Sequence, residues 1–217
     1  MGEDKRVTKT MLSGSPREYS AQVAIFSLLL MLWVSLFCWR QGPETSGRLA
    51  AIPQKVILES EYWRLWTSMA VHADIPHFAF NAVFLGLFSY LLYGYFGFWI
   101  YPVWTLLLGG AVTYISLLTY PSGIRLMGAS GLVYIMAGFW LMTYILVERR
   151  LTVKRRLLRA VGVALIVFLP TSFQPEISYR THALGFGMGL ILALSHFQLK
   201  KKTIRSAEET WGFDPEK

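Results

Sequence analysis

The sequence predicts an all-α membrane protein, a bundle of six transmembrane helices with a partly membrane-embedded first external loop. Of the 217 residues, 54% are hydrophobic and only 16% are charged, whereas a soluble domain carries about a quarter charged residues. The apolar residues fall in runs of about 20, the length of a helix that crosses a bilayer. Most of the 21 Lys and Arg residues lie in segments on one side of those runs, which is typical of membrane topology.

Six segments are long and apolar enough, or nearly so, to span a bilayer. They cover about residues 21–39, 76–97, 98–120, 128–147, 157–173 and 181–199. The fifth span is short, with Pro170 near its end, and it has few apolar residues to hold it in place. We therefore predict that this span and residues 173–180 form a mobile gate.

The chain is predicted to contain a cytoplasmic N-terminal segment (1–19), a membrane domain (20–199) and a cytoplasmic C-terminal tail (200–217). The first span is retained, because no small-residue cleavage site follows it. Six spans place both termini on one side, and the excess of Lys and Arg there predicts that this side is the cytoplasm. The net charge of +8 therefore reflects topology in a lipid bilayer and does not indicate nucleic-acid binding.

The first external connection, residues 40–75, is predicted to be half-immersed at the membrane interface. It contains many apolar and aromatic residues, among them Trp63 and Trp66. Trp side chains favour the headgroup level of a membrane.

Two polar residues lie at the start of the fourth and sixth spans, at similar predicted depth. Ser130 lies in Gly128-Ala129-Ser130-Gly131, and His182 is followed by Gly185 and Gly189 on one helix face. Polar groups in lipid are costly and mark candidate functional sites. Small residues of this kind also serve plain helix packing, and that alternative stays open for each motif alone.

A third polar pair, His77 and Asn81, lies one turn apart near the outer end of the second span. The Asn81 amide is a donor suited to a developing oxyanion. Hydrogen bonding between helices is the alternative for this pair. Tyr134 lies one turn below Ser130, where its ring can pack on the imidazole of His182.

These groups have the chemistry of acyl transfer. A serine hydroxyl becomes an effective nucleophile when a histidine takes its proton. The spans contain no Asp or Glu, so a Ser-His dyad is expected instead of a triad, and paired intramembrane aspartates are excluded. The His-Glu-x-x-His motif of zinc proteases is absent from the sequence, and we expect neither a metal nor a cofactor.

Together the motifs resemble the rhomboid family of intramembrane serine proteases over about residues 61–189. The resemblance rests on four motifs in the family's order. These are Trp63-Arg64, His77-x-x-x-Asn81, Gly128-Ala129-Ser130-Gly131 with Tyr134, and His182-x-x-Gly185-x-x-x-Gly189. The chain departs from many members at Tyr93, where they have a Glu inside the second span.

The resemblance implies that Ser130 is the nucleophile and His182 the general base of a serine endopeptidase. It also implies that His77, Asn81 and the Ser130 N–H stabilise the oxyanion, while Trp63 and Arg64 tie the external loop to the core. The expected substrates are transmembrane proteins cut near the outer membrane face. The minimal arrangement resembles bacterial members, which implies the inner membrane of a bacterial cell.

Two other functions are alternatives to proteolysis. A catalytically silent rhomboid-like protein would bind membrane segments of client proteins without cutting them, but such members typically lack the serine or the histidine, and both are present here. A small transporter would need charged or ion-coordinating residues at mid-membrane beside broken helices. The polar residues found here lie near the outer side instead.

Overall fold

The protein is described by a computed structural model over residues 6–168 and 178–211, and it is predominantly helical. Its helices are α1 (Ser20–Gln41), α2 (Pro43–Leu49), α3 (Arg64–Ala70), α4 (Ile75–Phe96), α5 (Thr105–Leu117), α6 (Ser130–Val147), α7 (Val153–Phe168) and α8 (Tyr179–Ser206). Two short strands, β1 (Arg6–Lys9) and β2 (Glu209–Trp211), lie near the chain ends. Short helical segments cover Met11–Ser13, which is 3-10, and Gln54–Leu58 and Trp99–Trp104, which are π-helical. The prediction of an all-α membrane protein is confirmed, apart from the two strands, which were not predicted.

Five stretches of the described residues are long and apolar enough to cross a membrane. They are α1, α4, Trp99–Leu117 (which includes α5), α6 and α8. They correspond to the first four predicted spans and the sixth, whereas α7 has 16 described residues. The count of six is therefore not confirmed, and residues 169–177 of the predicted gate lie outside the described residues.

Two helices extend beyond the predicted spans at their basic ends. The fifth span was predicted to begin at Leu157, yet α7 begins at Val153, and α8 continues past Leu199 to Ser206. Lys and Arg end an apolar span, but they are good helix formers and do not end a helix. The charge pattern therefore does not mark the helix boundary.

The core lies around α6, which is the most deeply buried of the five stretches. Its most extensive contact is with α8, and it also packs on α4 and α5. Tyr134 and Phe139 of α6 are fully buried. In contrast α1 exposes large apolar side chains, including Phe26 and Trp33, which suits a helix that faces lipid.

Both ends of the described chain meet in one small sheet, in which β1 pairs antiparallel with β2. Lys9 and Glu209 form an ion pair across it at 3.1 Å. Glu208, just before β2, pairs with Arg205 and, at 3.0 Å, with Arg149 in the α6–α7 connection. The two chain ends and this connection therefore lie at the same end of the bundle.

The connection between α1 and α4 is an ordered structure built around Arg64. The Arg64 guanidinium is buried and donates to the carbonyls of Gly47 and Ala50, each at 3.1 Å, and it pairs with Glu61. The Trp66 indole donates to the Leu106 carbonyl at 3.0 Å, which fixes α3 against α5. The exposed surface of this connection is partly apolar, since Leu58 is 76% exposed, Trp63 47% and Trp66 43%. Exposed Trp side chains of this kind are typical of a segment at the membrane interface.

Candidate active site

The site is built first from the segment that leads into α6. Gly128 has a φ of +110°, a conformation that only glycine adopts readily. Its N–H donates to the Ser68 carbonyl at 2.9 Å, and the Ala129 N–H donates to Nε2 of His72 at 3.3 Å. Ser130 follows as the first residue of α6 and is half-buried. Its N–H belongs to the first turn, where helix N–H groups have no partner within the helix.

His182 lies in the first turn of α8 and is almost fully buried. Its N–H donates to the Ser178 carbonyl at 3.1 Å. Its imidazole stacks on the ring of Tyr134, with ring centroids 4.0 Å apart and planes inclined by 11°. The predicted packing of Tyr134 on this histidine is confirmed, and the stacking restricts the orientation of the imidazole.

Glycines allow α6 and α8 to approach very closely beside these two residues. A Cβ added to Gly185 would lie 2.6 Å from the carbonyl oxygen of Gly131, and one added to Gly189 would collide with the carbonyl oxygen of Ile135. A Cβ added to Gly131 would lie 3.0 Å from a methyl group of Thr181. Ser130 precedes Gly131 and His182 follows Thr181, so both flank the same contact between the helix ends.

The start of α4 lies against the same segment. The carboxylate of Asp74 caps α4 by accepting from the His77 N–H at 2.7 Å. The His77 ring covers Gly128, where an added Cβ would lie 2.7 Å from both its Cε1 and Nε2 atoms. The His77 ring is therefore grouped with the segment that leads to Ser130.

Asn81, one turn further along α4, is 1% exposed. Its amide donates one hydrogen to the His77 carbonyl at 2.9 Å. An asparagine amide carries two N–H donors, so one remains for another acceptor. The Oδ1 atom of Asn81 has no hydrogen-bond partner within the described part of the chain.

Trp63 and Arg64 occupy a different place from the other predicted site residues. They lie in the connection between α1 and α4, where the Arg64 guanidinium packs 4.6 Å from the centre of the Trp63 ring. Their link to the site is indirect, because Arg64 and Ser68 both belong to α3 and the Ser68 carbonyl holds the Gly128 N–H.

Two groups next to the site had no predicted role. His72 is fully buried, and burial lowers its pKa to about 3, with the nearby His77 as the second cause. On the other side, the Tyr120 hydroxyl bonds the Ser178 hydroxyl at 2.6 Å and Arg180 donates to the Thr119 carbonyl at 2.6 Å. Those contacts anchor the start of α8. No sequence motif marks the contacts at the start of α8. For His72, the sequence offers one signal, a second histidine five residues before His77.

Comparison with known families found a match to a family model described as Rhomboid domain. It covers residues 59–199, which include the α1–α4 connection from Glu59 onwards and every residue described in this site. A comparison with curated proteins found no matching sequence.

Proposed function

Because the chain belongs to the rhomboid family, whose members are generally intramembrane serine proteases, we propose that it cleaves transmembrane proteins with Ser130 as nucleophile and His182 as general base. The observation that carries the proposal is the close contact of α6 and α8 at Gly131 and Gly185, which brings the two helix ends together. In addition, the His182 imidazole at one of those ends is buried and stacked on Tyr134, and a general base needs such a fixed orientation.

In the proposed reaction the Ser130 hydroxyl attacks the carbonyl carbon of the scissile peptide while His182 takes its proton. The tetrahedral intermediate then collapses, and His182 returns the proton to the leaving amine. Water next attacks the acyl-enzyme, again with His182 as base, and releases the new carboxylate. The substrate helix must unwind locally, since a helical amide has its carbonyl in a hydrogen bond.

Three donors are proposed for the oxyanion: the Ser130 N–H, the His77 ring and the free N–H of Asn81. Support comes from the His77 ring over Gly128 and from the amide of Asn81, which keeps one hydrogen unused by its own helix. Loss of one such donor typically lowers kcat by about 10²–10³-fold.

We place the protein in the inner membrane of a bacterial cell, with both termini in the cytoplasm and the site near the outer face. The pairing of β1 with β2 supports termini on a common side. The positively charged residues around that end favour the cytoplasm, according to the positive-inside rule.

The test uses the full chain purified in detergent and returned to liposomes, with a test substrate that has one transmembrane segment. Wild type should cut it, and Ser130→Ala and His182→Ala should each abolish cleavage. Ser116→Ala is the matched control, because Ser116 is a buried serine of α5 whose hydroxyl has no partner in the described region. It should cleave like wild type.

Cleavage that survives in Ser130→Ala would contradict the proposed nucleophile. A wild type that binds membrane segments but cuts none of several substrates would contradict the protease function. That result would favour the catalytically silent alternative.

A further inference from the structure

His72 lies between α3 and α4, and its hydrogen bonds reach two other parts of the molecule, α1 and the segment that leads into α6. Its Nδ1 atom is 3.1 Å from the Ser35 hydroxyl of α1, and its Nε2 atom accepts from the Ala129 N–H at 3.3 Å. Its carbonyl accepts from the Trp39 indole at 2.8 Å. The residue is 0% exposed. A buried imidazole with both nitrogens bonded to separate segments is held in one position.

The direction of each hydrogen bond follows from proton count. A backbone N–H that points at Nε2 requires a lone pair there, so the single proton of the neutral ring resides on Nδ1. The Ser35 hydroxyl donates its own proton to the Ala70 carbonyl at 3.0 Å and can therefore accept from Nδ1. Ser35 thus selects the form of His72 that can hold the Ala129 N–H.

His72 also packs against the other side of the site. Its ring meets His77 edge to face, with ring centroids 5.1 Å apart. It meets Phe78 in the same way at 5.5 Å. His72 therefore contacts the peptide that precedes Ser130 and the ring proposed as an oxyanion donor.

We propose that His72 is a positioning residue: through the Ala129 N–H and the His77 ring, it holds the backbone N–H of Ser130 and the His77 donor toward a common oxyanion position. The inference rests on the proposed function, because the oxyanion belongs to that reaction. His72 need not touch substrate to act in this way. A small displacement of such donors weakens stabilisation of the transition state more than substrate binding.

Two substitutions divide the roles of the two ring nitrogens. In His72→Gln the terminal amide oxygen can occupy the place of Nε2 and still accept from the Ala129 N–H. In His72→Asn the shorter amide can reach Ser35 in the place of Nδ1 but cannot reach Ala129. Both variants introduce a buried amide, so they are matched in polarity.

The measurements are kcat and KM for cleavage of the single-span test substrate. They are accompanied by the rate at which a fluorophosphonate modifies Ser130. In that modification His182 takes the Ser130 proton, the Ser130 oxygen forms a bond to phosphorus and fluoride leaves, while the phosphoryl oxygen occupies the oxyanion position. His72→Asn should lower kcat and the labelling rate by roughly 10–100-fold, somewhat less than removal of an oxyanion donor, with little change in KM. His72→Gln should keep both rates within about 3-fold of wild type, because its amide oxygen still accepts the hydrogen bond from the Ala129 N–H.

Ser35→Ala supplies a variant that keeps the imidazole and should give a loss intermediate between those of the Gln and Asn variants. His196→Asn is the control, since His196 packs on Phe96 and Phe139 in another part of the bundle. It should leave both rates unchanged. Equal losses of kcat and labelling rate in His72→Gln and His72→Asn would overturn the proposal. So would losses that are fully explained by the fraction of each variant that is unfolded at the assay temperature, as measured by thermal unfolding.

Amide exchange separates a failure of this inference from a failure of the proposed function. The Ala129 N–H should exchange faster in His72→Asn than in wild type and His72→Gln, whether or not the protein cleaves anything. An unlabelled wild-type Ser130 would count against the protease function alone. Unchanged exchange in His72→Asn would count against the role of His72 alone.

Discussion

Gly185→Ala is expected to separate the two helix ends of the site. The added methyl group would start 2.6 Å from the Gly131 carbonyl oxygen and 3.3 Å from Cβ of Tyr134. The first obstacle is backbone, which cannot rotate away as a flexible side chain can. The start of α8 must therefore move away from α6.

The size of the displacement follows from these distances. Ordinary contact begins at 3.4 Å, so the Gly131 contact must open from 2.6 Å by about 0.8 Å. A misplacement of about 1 Å at an active site can lower the rate roughly 100-fold. Overpacking should destabilise by about 1–3 kcal/mol, and the better helix propensity of alanine should return about 1 kcal/mol. The variant should thus remain folded while kcat falls roughly 100-fold, as for a 1 Å misplacement.

Gly187→Ala on the same helix is the matched control, because a Cβ there meets nothing within 4 Å. It gains the same helix propensity without the displacement, so its kcat should stay at the wild-type value. The assay is cleavage of the single-span substrate in liposomes, with thermal unfolding of each variant measured in parallel. Wild-type kcat in Gly185→Ala, or equal losses in both variants, would refute the reasoning.

Two other perturbations test the loop and the buried histidine. Arg64→Ala leaves the carbonyls of Gly47 and Ala50 without their donor and should lower the free energy of unfolding by about 1.5–3 kcal/mol. Arg64→Lys should lower it less when both variants are measured by thermal unfolding. Equal losses in the two variants would argue against a role for these hydrogen bonds. The pKa of His72 is about 3 in the folded protein against an ordinary value of 6.5, so the folded state binds fewer protons between those values and stability should fall as pH decreases from 6.5 toward 3. That fall should be shallower in His72→Gln, as checked by denaturant unfolding at pH 7 and pH 4, and identical slopes would contradict the assignment.

Much of the fold was predictable because membrane spans are encoded by local hydropathy. Each of the five membrane-length stretches matches a predicted span, and the largest boundary error occurs where basic residues continue a helix, at the end of α8. The sheet of β1 and β2 was not predictable in the same way. Its strands are about 200 residues apart in sequence, and each is only three or four residues long.

The candidate site shows the same division between local and distant information. The spacing of His182, Gly185 and Gly189 on one helix face predicted a close approach to a neighbour, and the contacts with α6 agree. The roles of individual loop residues required tertiary structure. His72 bonds Ala129, which is 57 residues away, and no periodicity in the sequence relates the two.

The arrangement also bears on how the proposed Ser-His dyad would work without a carboxylate. In a Ser-His-Asp triad the acid holds the imidazole in position and stabilises its charged form. Here the five membrane-length stretches contain no Asp or Glu. Under the proposed mechanism, orientation must come from the stacking of His182 on Tyr134 and from the glycine contacts that fix α8 on α6. Helix packing would then replace the orienting part of the acid's role, while its electrostatic part would have no replacement. The imidazolium would consequently be less stabilised, so stabilisation of the transition state would depend more on the oxyanion donors.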